Sequence, residues 1–246
     1  MIKTIISLSL SLASLGCGAA DFKMQVLGSV SKLTYADCQT YAQAGYCTSW
    51  SFTNISSSDF VNGANIDVGE RYTFDFTFTQ QAPLSAISPD GFQAIYLNAI
   101  SGQNFSAGSI VLPGTGLPTA NIGAISVVNG RSGTDYLLYQ TVFGGMSDFS
   151  ASLNLGFQDR TGNAVGSFNI PVSVSLGSFT ETGISIGFIR SADKDQMTLE
   201  GNITSVFISP IPEPSVNAML LFGIAVFSFM RANRRLAICN PTQIAA

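Results

Sequence analysis

The chain has 246 residues, enough for one domain with a substantial hydrophobic core. Charged residues make up 11% of it and there are 24 glycines, a composition that favours an extracellular β protein over a cytosolic enzyme. The formal net charge is -4, and the chain has no histidine. The acidic balance argues against nucleic acid as a partner, and the lack of histidine excludes Ser-His-Asp triads, Cys-His pairs and His-ligated zinc.

Residues 1–20 have the three parts of a secretory signal peptide. Lys3 supplies a positive charge, an apolar stretch runs from Ile5 to Leu15, and small residues follow. We therefore expect export through the Sec machinery and cleavage by signal peptidase after Ala20, with cleavage after Ala19 as the alternative. An alternative is a lipoprotein acylated at Cys17, because the sequence SLGC that ends at this residue is similar to a lipobox.

Two of the four cysteines remain in the predicted exported body. Cys17 leaves with the signal peptide, and Cys239 lies beyond the arginines of the C-terminal tail. Cys38 and Cys47 are left as a pair in an oxidising compartment, so we predict a disulfide between them. A metal-binding or redox role is the less favoured alternative, because their spacing is not C-x-x-C and no histidine is available.

Aromatic residues near this cysteine pair are the candidate glycan contacts. Trp50 is the single tryptophan, and Tyr41 and Tyr46 precede it closely. Exposed aromatic rings of this kind could stack on sugar rings. We favour the alternative that Trp50 packs in the core under the disulfide loop, because buried aromatics contribute large apolar areas. The segment Thr34–Tyr46 is predicted to contain a short helix.

The body between residues 21 and 211 alternates apolar and polar residues with a period of two, which is typical of half-buried β-strands. The clearest case is RYTFDFTFT, which places four aromatic residues on one face. Turn sequences such as SPDG and VNGRSG separate the runs. We predict an antiparallel β-sandwich or jelly roll. The predicted strands are Phe22–Val30, Trp50–Ser56, Arg71–Thr79, Gln93–Leu97, Ile122–Val128, Asp135–Phe143, Phe149–Phe157, Phe168–Leu176, Gly183–Ile189 and Met197–Ser209.

Carboxylates offer the remaining catalytic and metal-binding chemistry. Asp193 and Asp195 flank Lys194 in a predicted turn and could supply oxygen ligands to calcium. We favour a solvated turn, because the spacing lacks the closing Glu of a calcium-binding loop. Asp75 or Glu70 would serve a glycosidase only with a partner carboxylate about 5–10 Å away, and the sequence identifies none. We predict no enzyme activity, no cofactor and no metal site.

Residues 212–235 combine a proline-rich start, an apolar run and a basic end. Pro212, Glu213, Pro214 and Ser215 precede the uncharged segment 216–230, and Arg231, Arg234 and Arg235 follow it. We predict a single transmembrane helix with the arginines and the short tail 236–246 in the cytoplasm, which leaves the body outside. The helix is a marginal anchor, because it is shorter than the roughly 30 Å hydrocarbon core. A buried core helix is the alternative.

This order of features resembles the PEP-CTERM family of exported bacterial proteins. The family resemblance rests on the Pro-Glu-Pro motif, the membrane segment and the basic stop within residues 212–235, about a tenth of the chain. It implies that the tail is a sorting signal recognised by an exosortase, a membrane protease-transpeptidase. Members of the family occur in bacteria that make extracellular polysaccharide.

The resemblance implies a protein anchored transiently in the inner membrane and then located at the cell surface or in the extracellular matrix. We expect a structural or adhesive, non-enzymatic protein associated with exopolysaccharide or biofilm. Its expected partners are an exosortase-like enzyme, the export machinery, the membrane through the C-terminal helix, and polysaccharide. A carbohydrate-binding module or a carboxylate-based glycan hydrolase on the same β-sandwich is the alternative.

Overall fold

A computed structural model describes residues 21–41, 47–113, 123–143 and 148–211, without the side chains of Tyr41 and Pro113. In these residues the chain is all-β, with fourteen strands that pair antiparallel and one 3-10 turn at Leu176–Ser178. The strands are β1 (Asp21–Tyr41), β2 (Cys47–Ile55), β3 (Ser57–Val61), β4 (Ala64–Asp67), β5 (Arg71–Thr79), β6 (Ala86–Ile87), β7 (Gln93–Leu97), β8 (Ile100–Ala107), β9 (Ile110–Pro113), β10 (Gly123–Arg131), β11 (Thr134–Phe143), β12 (Phe149–Asp159), β13 (Glu181–Arg190) and β14 (Gln196–Pro210).

Twelve of the strands in the described part of the chain form one sheet in the order β6-β7-β10-β11-β12-β13-β14-β1-β5-β8-β9, with β2 paired to β1. Strand β1 organises this sheet because it is 21 residues long. Along one edge it pairs with β14. Along the other edge its first half pairs with β5 and its second half with β2. The hairpin β3–β4 is a separate two-stranded sheet.

The sheet folds over so that distant strands face each other in a sandwich-like core. The ring of Phe76 in β5 lies 5.3 Å from that of Tyr139 in β11, although β12, β13, β14 and β1 separate these strands in the sheet. Phe157 in β12 packs edge-on against Tyr139. Interdigitating aromatic side chains of this kind bury large apolar areas and dominate the energetics of a core.

The period-two alternation correctly identifies several strands. Strand β5 has the predicted bounds and buries Tyr72, Phe74, Phe76 and Phe78 on one face. Strand β7 also has its predicted bounds. The described residues bear out the all-β prediction.

Two predicted elements are wrong. The short helix within Thr34–Tyr46 is not formed over Thr34–Tyr41, because β1 continues there, paired with β2 along this segment and with β14 as far as Ala36. The predicted strand Phe168–Leu176 has no regular structure before the 3-10 turn. Pro171 cannot donate to a strand ladder, and only Ile170 of its neighbourhood is fully buried.

The predictions for the two ends of the chain lie outside the described residues. These are the signal peptide 1–20, the segment 212–235 and the tail 236–246. Within the described ranges, no helix is long and apolar enough to cross a membrane.

Candidate functional site

The predicted disulfide is present between Cys38 and Cys47, whose Cα atoms are 5.8 Å apart. It joins the last part of β1 to the first residue of β2, and so closes the two-stranded ribbon that these strands form. In the chain-entropy model, a cross-link around so short a loop stabilises a fold by roughly 2–3 kcal/mol.

Trp50 lies in β2 opposite Cys38 and is partly exposed, so it is not a residue of the core. The neighbouring aromatic on the same face is Phe52, which stands opposite Ala36 and has 69% of its surface exposed. Of the other two candidate glycan contacts, the side chain of Tyr41 and the whole of Tyr46 lie outside the described residues. The structure therefore places an exposed Trp50–Phe52 pair on β2.

Asp193 and Asp195 bind an arginine. Arg190 donates from Nε to Asp193 Oδ1 (2.9 Å) and from Nη2 to Asp195 Oδ2 (3.0 Å). The bond from Arg190 lowers the pKa of Asp193. Asp195 also accepts the Cys38 N–H (3.1 Å) and the hydroxyl of Tyr35. The hydrogen bond from Tyr35 to Asp195 raises the pKa of Tyr35 to about 12.

Asp195 anchors the turn between β13 and β14 to β1, whereas Asp193 holds Arg190 within the turn. In the described part of the chain, no group of three or more His, Cys, Asp or Glu residues could hold a metal ion. A cleft of about 600 Å³ lies beside the cluster and is lined partly by Tyr35, Phe60 and Arg190. The Arg190 guanidinium carbon lies 4.7 Å from the centre of the Phe60 ring. The polar groups of Tyr35 and Arg190 are thus committed to contacts within the protein.

Asp135 and Asp159 stand opposite each other on β11 and β12 and are both buried. Asp135 accepts the N–H groups of Gly130 (2.8 Å) and Val165 (2.7 Å). Asp159 accepts three N–H groups from the loop that follows it, which lowers its pKa. A hydrolase needs two carboxylates free to act on a sugar, whereas these two are occupied in holding loops.

Asp75 and Glu70, the carboxylates considered from the sequence, also have partners within the fold. Asp75 accepts a hydrogen bond from the Gln25 amide (2.9 Å). Glu70 accepts the N–H of Asp67 (3.2 Å). Both carboxylates hold neighbouring strands or turns together.

A groove of about 320 Å³ crosses the outer face of strands β11, β12 and β13. Its floor is Gly156 in β12 directly opposite Gly183 in β13. The two facing glycines leave space above adjacent strands, and close approach of another group is a common reason for glycine within a strand. A Cβ added to Gly183 would meet only Gly201 O at 3.5 Å, in ordinary contact, so neither crowding nor a positive φ requires glycine at this position.

Polar residues in register line both sides of this groove. On one side, Tyr136, Gln158 and Glu181 form a row across the three strands. The Tyr136 hydroxyl lies over Gly156, and a Cβ added to that glycine would be 2.9 Å from it. Glu181 is paired with Arg160.

The opposite side of the groove is formed by Asn154 and Ser185, which stand opposite each other. Gln140 supports this side by donating from Nε2 to Asn154 Oδ1 (2.9 Å). The groove thus offers amides, hydroxyls, one aromatic ring and the apolar side chain of Leu138, with its single lining carboxylate neutralised. This set of groups suits a neutral, polyhydroxylated ligand.

The sequence indicated this groove only in part. The alternation FSASLNLGF shows that Asn154 and Gly156 face outward. The pairing of Gly156 with Gly183 depends on the strand register, which the sequence pattern does not specify. No protein-family model matches this sequence, and no curated protein is significantly similar to it.

Proposed function

We propose that this protein is an exported, non-enzymatic surface or extracellular-matrix protein that holds neutral polysaccharide in the groove over β11, β12 and β13. In this proposal residues 1–20 direct export, the body 21–211 is the binding domain, and residues 212–235 act as a sorting signal for an exosortase-like enzyme. The protein serves as an adhesive component of the matrix.

Three features support an extracytoplasmic location. Disulfides persist in oxidising compartments, and the described domain contains one between Cys38 and Cys47. The tail carries the Pro-Glu-Pro, apolar and arginine segments in the order of a sorting signal. The body lacks the charge density of an ordinary cytosolic protein, since only 11% of the chain is charged.

The observation that carries the binding proposal is the facing pair Gly156 and Gly183. The pair opens a groove between two polar sides. Tyr136 and Gln158 lie on one side, and Asn154 and Ser185 lie on the other. Shallow sites of this kind bind through stacking and several hydrogen bonds. The formal net charge of -4 disfavours anionic polysaccharides, so the expected ligand is neutral.

A groove-filling variant tests this site. Gly183→Val places a branched side chain in the groove, and valine is a better strand former than glycine. Gly187→Val is the matched control, because Gly187 lies on the same face of β13 but does not line the groove, and its added Cβ would also meet its nearest atom in ordinary contact. Both variants should unfold at or above the wild-type temperature.

Affinity electrophoresis in gels that contain neutral or anionic polysaccharide provides the measurement. We expect the neutral gel to retard the wild type and Gly187→Val, but not Gly183→Val. Equal retardation of the two variants would show that binding occurs elsewhere. No retardation of the wild type in the gel with neutral polysaccharide would refute the binding proposal.

Export and sorting are tested separately by the intact mass of protein recovered from the cell surface and culture fluid. Loss of residues 1–20 and of the segment from Arg231 onward is the expected result. A mass that retains Arg231 would mean that the tail is a permanent anchor. An added lipid at Cys17 would establish the lipoprotein alternative instead.

A further inference from the structure

Strand β2 forms an edge of the sheet. It pairs with β1 along one side, and no strand in the described part of the chain pairs with it along the other. An edge strand presents unpaired N–H and C=O groups that can pair with another chain. The backbone of β2 is therefore available for association.

Natural proteins usually protect such edges with short strands, proline or charged residues. The edge strand β6 has two residues, and β9 has four residues and ends at Pro113. Strand β2 has nine residues, CTSWSFTNI, with no charge and no proline. Of the three terminal strands of this sheet in the described residues, only β2 is both long and unprotected.

The side chains of β2 add an exposed apolar contact at this edge. Phe52 is the most exposed large hydrophobic residue in the described part of the chain, at 69%. Trp50 lies on the same face two residues away and is partly exposed. Exposed aromatics beside an unpaired edge mark an interaction surface.

We propose that two copies of this chain associate by pairing their β2 strands antiparallel about Ser51, which continues the sheet from one copy to the other. In this register Trp50 of each copy stands opposite Phe52 of the other. Cross-strand aromatic pairs stabilise antiparallel strands. The twofold axis produces the contact twice, as in an isologous dimer.

Self-complementarity favours a second copy as the occupant of this edge. Two copies carry the same formal net charge of -4, so they can associate only where no like charges meet. Pairing of β2 with itself places no like charges in opposition, because the strand has none. The outer residues of this pairing are also complementary, with Ser49 opposite Thr53 and Thr48 opposite Asn54.

Cysteine cross-linking of the protein recovered after export tests the register. In the proposed dimer, the two Ser51 residues face each other at about 4.5–5.5 Å between Cα atoms, within the range for a disulfide. Ser51→Cys should therefore give a reducible dimer on mild oxidation. Ser49→Cys is the matched control, because the two Ser49 positions are about 13 Å apart in this register.

Phe52→Lys tests the association independently of any disulfide. The side chain is exposed, so the variant should keep the wild-type unfolding temperature. It should weaken dimer formation about tenfold or more in size-exclusion chromatography with light scattering, since two aromatic pairs are lost. Equal cross-linking of Ser51→Cys and Ser49→Cys, a monomeric wild type, or association that survives Phe52→Lys would each overturn the proposal.

Discussion

Tyr139 carries a hydroxyl that the core does not satisfy. The residue is fully buried, and its ring packs against Phe76, Phe78 and Phe157. Its Oη has no hydrogen-bond partner among the described residues. Burial raises the pKa of this hydroxyl, so the group stays neutral. An unsatisfied buried donor costs about 1–3 kcal/mol.

Tyr139→Phe should therefore increase the free energy of unfolding by about 1–3 kcal/mol, because the ring contacts remain and the desolvated hydroxyl is removed. For a domain of this size, each kcal/mol corresponds to about 2–4 °C in the unfolding temperature. Urea denaturation followed by far-UV circular dichroism gives the free energy. The slope with urea should not change, since the surface exposed on unfolding is nearly the same.

Tyr72→Phe is the control with the opposite expected sign. Tyr72 is also buried, but its hydroxyl donates to Asn202 O at 3.0 Å. Loss of this bond should lower the free energy of unfolding by about 1 kcal/mol. If Tyr139→Phe destabilised the protein as Tyr72→Phe does, the hydroxyl would have a partner such as an ordered water, and the reasoning would be refuted.

Three further predictions concern the strands and loops around this core. Gly28→Ala should prevent stable folding, because an added Cβ would overlap Asn202 O; a wild-type thermal unfolding curve would contradict this. Reduction of the bond between Cys38 and Cys47 should lower the free energy of unfolding by roughly 2–3 kcal/mol, as measured by urea titration with and without reductant; an unchanged midpoint would contradict it. The pKa of Asp159 is lowered by its N–H partners, so its contribution to stability is present above the ordinary Asp value near pH 4. This contribution should disappear as the pH falls through the folded pKa, and Asp159→Asn should flatten the acid limb of the stability curve; identical acid limbs would show that Asp159 does not cause it.

The sequence could predict those parts of the fold that depend on local pattern. The aromatic alternation in β5 is unbroken, so both its bounds and its buried face follow from the sequence. The extension of β1 through Tyr41 does not, because the residues from Thr34 to Tyr41 have no clear alternation. Their strand conformation is fixed by pairing with β14, which is distant in sequence, and with β2, which follows β1 in the chain.

The same distinction applies to the candidate site. Gly156 and Gly183 are each an unremarkable glycine in a predicted strand. Only their opposition in the register of β12 and β13 makes a groove. Two of the partners of Asp195 are equally non-local, since Cys38 and Tyr35 lie on the first strand of the fold. A residue's chemistry can be read from the sequence, whereas its partners depend on strand order.

The ribbon formed by β2 and the end of β1 is held to the rest of the domain by strand pairing with β14 and by a hydrogen bond to Asp195. Beyond Ala36, β1 has no further partner in β14, and within the described residues it continues only beside β2. Just past the last residue paired with β14, Asp195 binds β1 by accepting the Cys38 N–H. Asp195 is itself held in place by Arg190. The disulfide fixes the two strands of the ribbon to each other at the same residue, Cys38. Together these contacts orient the unprotected edge of β2 as part of the continuous sheet, which is the condition for a second copy to extend that sheet.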